Sequence, residues 1–284
     1  MVAPSADAWQ DFLASLPPEL ASLHENPPED VFDLGDGRLV TVDELFAVLS
    51  EQVATPPETG RRAVREDRNG AAQLAGAWRH ATFGQARAVL TLREVSLLNE
   101  AQANARACLE HAIALRRLAL AADDGRLEPL MEEIAFQAQR RGVAQLDYLD
   151  ELDEHGDGTH RALLQATRIR LEADQVPPDK SRPQTRTAKA VFNGVPHGRH
   201  LYDVYSRLSE NTHAGLGSAA GYLMQALRSD GAVPAVPPPW AETAALLCWS
   251  CWAAEDAMLR FLLDGKGLAG RQAGLLARIG LAPG

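Results

Sequence analysis

Residues 86–122 read ARAVLTLREVSLLNEAQANARACLEHAIALRRLALAA. Apolar side chains return every three or four positions along this stretch, the period of a helix with one face against a core. The wider window 71–121 contains no proline, and its only glycines are Gly76 and Gly84. It predicts one or two long helices with a break or bend near 84–92.

Working outward, DDGRLEP (123–129) reads as a turn and the start of another helix, and Gly142 divides helical 128–141 from helical 143–154. Helical spacing also runs through 159–174, through a pair within 199–228, through 242–265 and through a tail at 268–280. The proline-containing stretches 176–186 and 231–239 are connectors. Upstream, 6–16 and 17–25 read as short helices. VFDLGDGRLV (31–40) reads as a hairpin around a Gly-Asp-Gly turn. Thr41-Val-Asp-Glu44 has the form of a capping box that opens a helix over 41–54. The expected fold is all-α: a helical bundle with long central helices over 70–284, preceded by a small N-terminal appendage (1–69) that includes one short β-hairpin. No repeat of about 20–50 residues is visible, which argues against a solenoid.

Composition narrows the function classes. Hydrophobic content of 46% and charged content of 23% are typical of a globular chain. A net charge of −10 weighs against a general polyanion binder, because duplex binding rests on a net basic face. The start, MVAPSADAWQDF, lacks the basic and apolar regions of a secretory signal, and the apolar run 244–254 is too short to span a bilayer. Cys108, Cys248 and Cys251 all lie in apolar helical contexts, so a reduced, cytoplasmic protein with no membrane partner is expected. Cys248-x-x-Cys251 has no second ligand pair and reads as core packing. Neither a metal nor a cofactor is expected.

The unusual stretch is YDVYSRLSENTH (202–213), which concentrates hydroxyls, an Arg and a His on one helix. Turning about 100° per residue separates three faces. Leu201, Val204, Tyr205, Leu208 and Thr212 form an apolar stripe, and Tyr202, Ser206, Ser209 and His213 border it. Asp203, Arg207 and Glu210 point away from both. The long helix carries Asn99, Ala103, Arg106 and Glu110 at matching spacing, and Arg106 and Glu110 are i,i+4 neighbours. If the two helices pack, Arg106 and Glu110 meet Ser209 and His213 in one polar network. His213 would then act as general acid and base with Glu110 orienting it, and Arg106 would hold an anionic group. Asn99, Tyr202, Tyr205, Ser206 and Ser209 would position a small-molecule substrate. The same residues also suit a purely structural network that fixes helix register.

Two other patterns are present. Asp123-Asp124-x3-Glu128 and Asp203-x2-Ser206-x3-Glu210 superficially resemble the paired metal motifs of class I terpene cyclases. However, Tyr202 stands where that family has a metal-binding Asn, and Asp203 and Glu210 face away from the core. Arg207 and His213 fit the Arg-x4–6-His pattern of HEPN-type ribonucleases, all-α and often dimeric, with RNA as substrate. The two lie about 120° apart on a helix, so only a homodimer seam or a frayed end brings both to one phosphate.

Arg-Ala-Cys-Leu-Glu-His-Ala (106–112), followed by Tyr202 to His213, resembles a bacterial all-helical family of unknown function. Its members carry an Arg-x3-Glu motif and a Tyr-x2-Leu-Ser-x3-His motif. The matching positions are Arg106, Glu110, Tyr205, Leu208, Ser209 and His213, within a resemblance covering about 90–228. It implies that these residues form one site, in a bundle distantly similar to HEPN proteins, and it implies no particular reaction. The function expected is an enzyme acting on a small molecule between helices. The alternatives are a HEPN-like metal-independent ribonuclease or toxin and defence protein, and a non-catalytic binding module.

Overall fold

A computed structural model describes residues 30–34, 37–55, 68–137, 162, 165–166, 169, 187–212, 240–263 and 270–281. The stretch 86–122 supplies two long helices, α2 (Asn69–Glu94) and α3 (Leu98–Asp123). They fold back on one another and bury Ala75, Ala86, Val89, Ala101, Ala105, Cys108 and Leu115. The interruption falls at Val95–Leu97 rather than over 84–92. Helix α2 ends in a Schellman motif: the Leu97 N–H donates to the Leu92 carbonyl at 2.8 Å and the Ser96 N–H to the Arg93 carbonyl at 3.0 Å. That motif needs a left-handed residue, and Ser96 takes the place with φ 60° where glycine is usual. Gly84, which suggested the earlier break, sits in uninterrupted helix because nothing there takes its carbonyl partners away. Ser96→Gly is expected to raise stability by about 0.5–1 kcal/mol, the left-handed penalty less the extra freedom of glycine in the unfolded chain. A urea titration measures it, and a lower midpoint would contradict the assignment.

Before these helices, β1 (Val31–Asp33) and β2 (Leu39–Thr41) pair antiparallel with Phe32 opposite Val40. Helix α1 (Val42–Ala54) follows directly. Its capping box is complete: the Glu44 N–H donates to Thr41 Oγ1 at 3.3 Å, and the Thr41 N–H to Glu44 Oε2 at 2.9 Å. After α3, Gly125 turns the chain with φ 68° into a helical segment, 127–137. The remaining elements are α4 (Ala188–Phe192), α5 (Gly198–Thr212), α6 (Ala241–Leu263) and α7 (Gly270–Arg278). The short α4 carries no clear sequence signal beyond its Thr187 cap, whose side chain accepts from the Ala190 N–H at 3.3 Å. The helices read at 143–154 and in 213–228 lie outside the described residues, as do those at 6–16 and 17–25. Of 159–174 only isolated helical positions are described.

Helix α6 is the axis of the bundle and packs on α1, α2, α3 and α7. Its first amides are capped from a distance: Asp30 accepts from the Trp240 N–H at 2.6 Å and the Ala241 N–H at 2.9 Å. Leu45, Phe46, Val48 and Leu49 of α1 lie in the same core as Leu247, Cys251 and Phe261 of α6. Gln52 donates to the Cys248 carbonyl at 3.1 Å and accepts, through its own carbonyl, from Gln272 of α7 at 3.2 Å. A second, smaller core joins Leu109 and Ile113 of α3 to Phe192, Val195, Leu201 and Tyr205. No helix among the described residues is long and apolar enough to cross a membrane.

Candidate functional site

Helix α5 sorts its side chains as the spacing predicts. Leu201, Val204, Tyr205 and Leu208 are buried, Tyr202, Ser206 and Ser209 are half-buried, and Asp203, Arg207 and Glu210 are exposed. Its buried stripe packs against α3, so the two helices singled out from sequence do meet. The meeting point is Arg106 with Tyr205. The guanidinium donates through Nη2 to the phenol oxygen at 3.0 Å, and its carbon lies 5.0 Å from the centre of the Tyr205 ring. The same Nη2 lies 3.4 Å from Glu110 Oε1, so one cation serves the phenol and the carboxylate together. Beside Glu110, burial holds the His111 imidazole below its usual range, while the Glu110 charge pulls it upward.

The aromatic surroundings come from α4 and α5. The Phe192 ring packs 4.9 Å from Tyr205 and 5.8 Å from Tyr202, and the two tyrosines stack at 6.0 Å. Tyr205, placed among substrate-positioning residues from sequence, is only 8% exposed and works as the bridge between helices. Ser206 donates to the Tyr202 carbonyl at 2.9 Å, a bond within its own helix. His213 and the side chain of Asn99 lie outside the described residues. Ser209 sits one turn beyond Tyr205 on α5.

Next to this seam is an open groove of about 800 Å³, between α4 and the start of α5. Lys189, His197, Arg199, His200, Tyr202 and Ser206 are among its lining residues. Tyr202 and Ser206 therefore belong to both the groove and the α5 face that borders the Arg106 seam. The turn that builds the groove is tight: a Cβ on Gly198 would lie 1.8 Å from the Phe192 carbonyl oxygen. His197 beside it is left-handed, with φ 58°. On the outer face, Arg207 makes ion pairs with Asp203 and with Glu242 at 2.5 Å each, and His200 Nε2 lies 3.8 Å from Glu242. Arg207 is thus held between two carboxylates.

The strongest charged network was not among the residues chosen from sequence. Glu255, 1% exposed, pairs with Arg79. Asp256, fully buried, binds Arg116 at 2.8 Å and Arg260 at 2.7 Å. The available signal was an adjacent Glu-Asp in an otherwise apolar helix, since carboxylates there must be paired. The three cysteines are buried nearby. The Cys251 thiol hydrogen-bonded to Cys108, followed by burial, holds the Cys108 thiol well above its usual range, and burial does the same for Cys248. Such thiols stay protonated and pack; they are not poised as thiolate ligands. Among the described residues no group of three or more His, Cys, Asp or Glu is placed to hold a metal ion.

These observations define an all-α bundle with an Arg–Tyr seam between two helices and a cationic groove against it. No family model matches the chain, and no curated protein or solved structure matches it either.

Proposed function

We propose that this protein is a cytoplasmic enzyme that binds a small anionic molecule along α5 and transforms it by acid–base chemistry. The reading rests on the Arg106–Tyr205 hydrogen bond, which joins residues 99 positions apart and ties the Arg-x3-Glu helix to the helix carrying the hydroxyls. Arg106 is 25% exposed and Glu110 42% exposed at the side chain, so both reach solvent where a ligand can approach. In this scheme Arg106 holds an anionic group at the reacting end and Tyr202 flanks the substrate. Glu110 and His213 move protons, the imidazole as general acid and base and the carboxylate orienting it. Groups of this kind between bundle helices are common ligand positions. The free, buried thiols suit a reducing compartment.

The ribonuclease alternative asks Arg207 to hold a scissile phosphate. Its ion pairs with Asp203 and Glu242 occupy the guanidinium and put two carboxylates where the phosphate would sit, which favours the small-molecule reading.

The test is a turnover assay on a metabolite extract, followed by mass spectrometry, with wild-type protein, Arg106→Gln and His213→Ala. Wild type is expected to deplete specific anionic metabolites. Arg106→Gln should lower that rate by about 10²-fold or more, as loss of an anion-holding donor typically does. Unchanged turnover in both folded variants, or no turnover alongside specific RNA cleavage, would refute the proposal.

A further inference from the structure

The groove beside α4 and α5 reverses the sign of the molecule. The whole chain has 38 acidic residues against 28 Lys and Arg. Between Lys180 and Tyr202, however, the sequence contains no Asp or Glu, while Lys180, Arg182, Arg186, Lys189 and Arg199 supply five cations and His197 and His200 two imidazoles. The described members of that run converge in space: Lys189, His197, Arg199 and His200 all line the groove. The carboxylate that also lines it, Asp203, is ion-paired to Arg207, as is Glu242 behind His200.

We propose that this groove is a binding site for a doubly charged oxyanion, namely the phosphate group of a small molecule. The assignment rests on the small-molecule reading above and gives its substrate class. Two features carry it. Lys189 and Arg199 gather two like charges on one concave surface, and a dianion there matches both charges and has further oxygens to accept from the His197 and His200 N–H groups, whereas a carboxylate brings one charge and two oxygens. The volume, about 800 Å³, matches a small ligand. The phosphate sits among Lys189, His197, Arg199 and His200. Asn193 offers a side-chain amide on the same wall, and Tyr202 offers a ring face to the remainder of the ligand, on the side toward the Arg106 seam.

Calorimetric titration of the full chain tests this with three probes: inorganic phosphate, acetate at matched ionic strength, and a short oligouridylate. Phosphate is expected to bind saturably and acetate not to. The double variant Lys189→Gln/Arg199→Gln changes exposed side chains only and should weaken phosphate at least tenfold. Arg278→Gln, on α7 and paired with Glu51, should leave phosphate affinity unchanged. Equal affinity in wild type and the double variant, or no saturable phosphate binding, overturns the assignment. So does oligouridylate binding that is tighter than phosphate and lost in the double variant, which would mark a nucleic-acid surface. Arg106→Gln separates the two readings: Arg106 does not line the groove, so affinity for inorganic phosphate should stay intact, while turnover, which needs Arg106 on a second anionic group at the reacting end, should stop. Phosphate binding without any turnover supports the groove and counts against the enzyme; turnover without phosphate binding does the reverse.

Discussion

Asp256→Ala is expected to destabilise the protein by about 3–5 kcal/mol, the range for breaking a buried ion pair from one side. Asp256 has no exposed surface and bonds two guanidinium groups, one from α3 and one from its own helix. Arg116 is the vulnerable partner. Its side chain is 13% exposed, and its guanidinium lies 5.4 Å from the centre of the Trp252 ring. Without the carboxylate that cation stays buried against an aromatic face with no counter-charge. Arg260 is 33% exposed and can turn to water, so it suffers less. A loss of this size is a large part of the ~5–15 kcal/mol that holds a typical domain folded. Guanidinium unfolding of Asp256→Ala should show a much lower midpoint, and Asp256→Asn a smaller drop. Replacing both partners, Asp256→Leu with Arg116→Met, should recover most of the loss, because the penalty belongs to the orphaned charge. A single-variant loss below about 1 kcal/mol would mean that water reaches Arg116 and the site is not dry.

That network also shows where sequence reading succeeds and where it stops. The hairpin, α1 and the long pair α2 and α3 were legible because each rests on a local signal: a 3.6-residue period through 86–122, a Gly-Asp-Gly turn, a capping box at Thr41. The break at Ser96 was not, because a left-handed serine looks like any other serine until its N–H is seen on a carbonyl three residues back. Helical spacing on α5 sorted buried from exposed positions correctly, since that needs only one helix and one core. Which side chains meet across two helices depends on crossing angle and offset, and these are not written in either helix alone. The described bond from Arg106 to α5 goes to Tyr205, a residue first assigned to the apolar stripe, and His213 lies outside the described residues. The groove was missed for another reason. Its cations and imidazoles come from a five-residue helix (Lys189), the turn after it (His197) and the first turn of α5 (Arg199 and His200), and share no helical period that would group them. Only the absence of acids from 180 to 202 marked the region.

Gly198→Ala should be the most damaging conservative change near the groove. A new Cβ there would lie 1.8 Å from the Phe192 carbonyl oxygen and 2.6 Å from its carbonyl carbon. Both are backbone atoms, and the backbone around them is tied down. The Phe192 carbonyl accepts from the Val195 N–H at 3.1 Å, and the Gly198 N–H donates to the Val195 carbonyl at 3.1 Å. The chain can admit the methyl only by moving α4 away from α5. That movement would draw Phe192, 2% exposed, off the rings of Tyr202 and Tyr205 and open the smaller core. A loss of about 3 kcal/mol is expected, at the upper end for overpacking because no side chain can yield instead. Two other glycines give the comparison. At Gly194 the nearest atom is 3.3 Å away, so alanine should cost much less. At Gly280 the obstructions are side-chain ends, the Arg38 guanidinium and a Leu34 methyl, which can shift aside, leaving chiefly the strain of φ 74°. Gly198→Ala should also weaken phosphate binding at temperatures where the protein remains folded, since Lys189 on α4 and His197 on the turn would move away from Arg199 and His200 on α5. If it proved as stable as wild type with phosphate affinity unchanged, the α4–α5 turn would have to be looser than this close approach implies, and a groove fixed in shape by Gly198 would have to be abandoned.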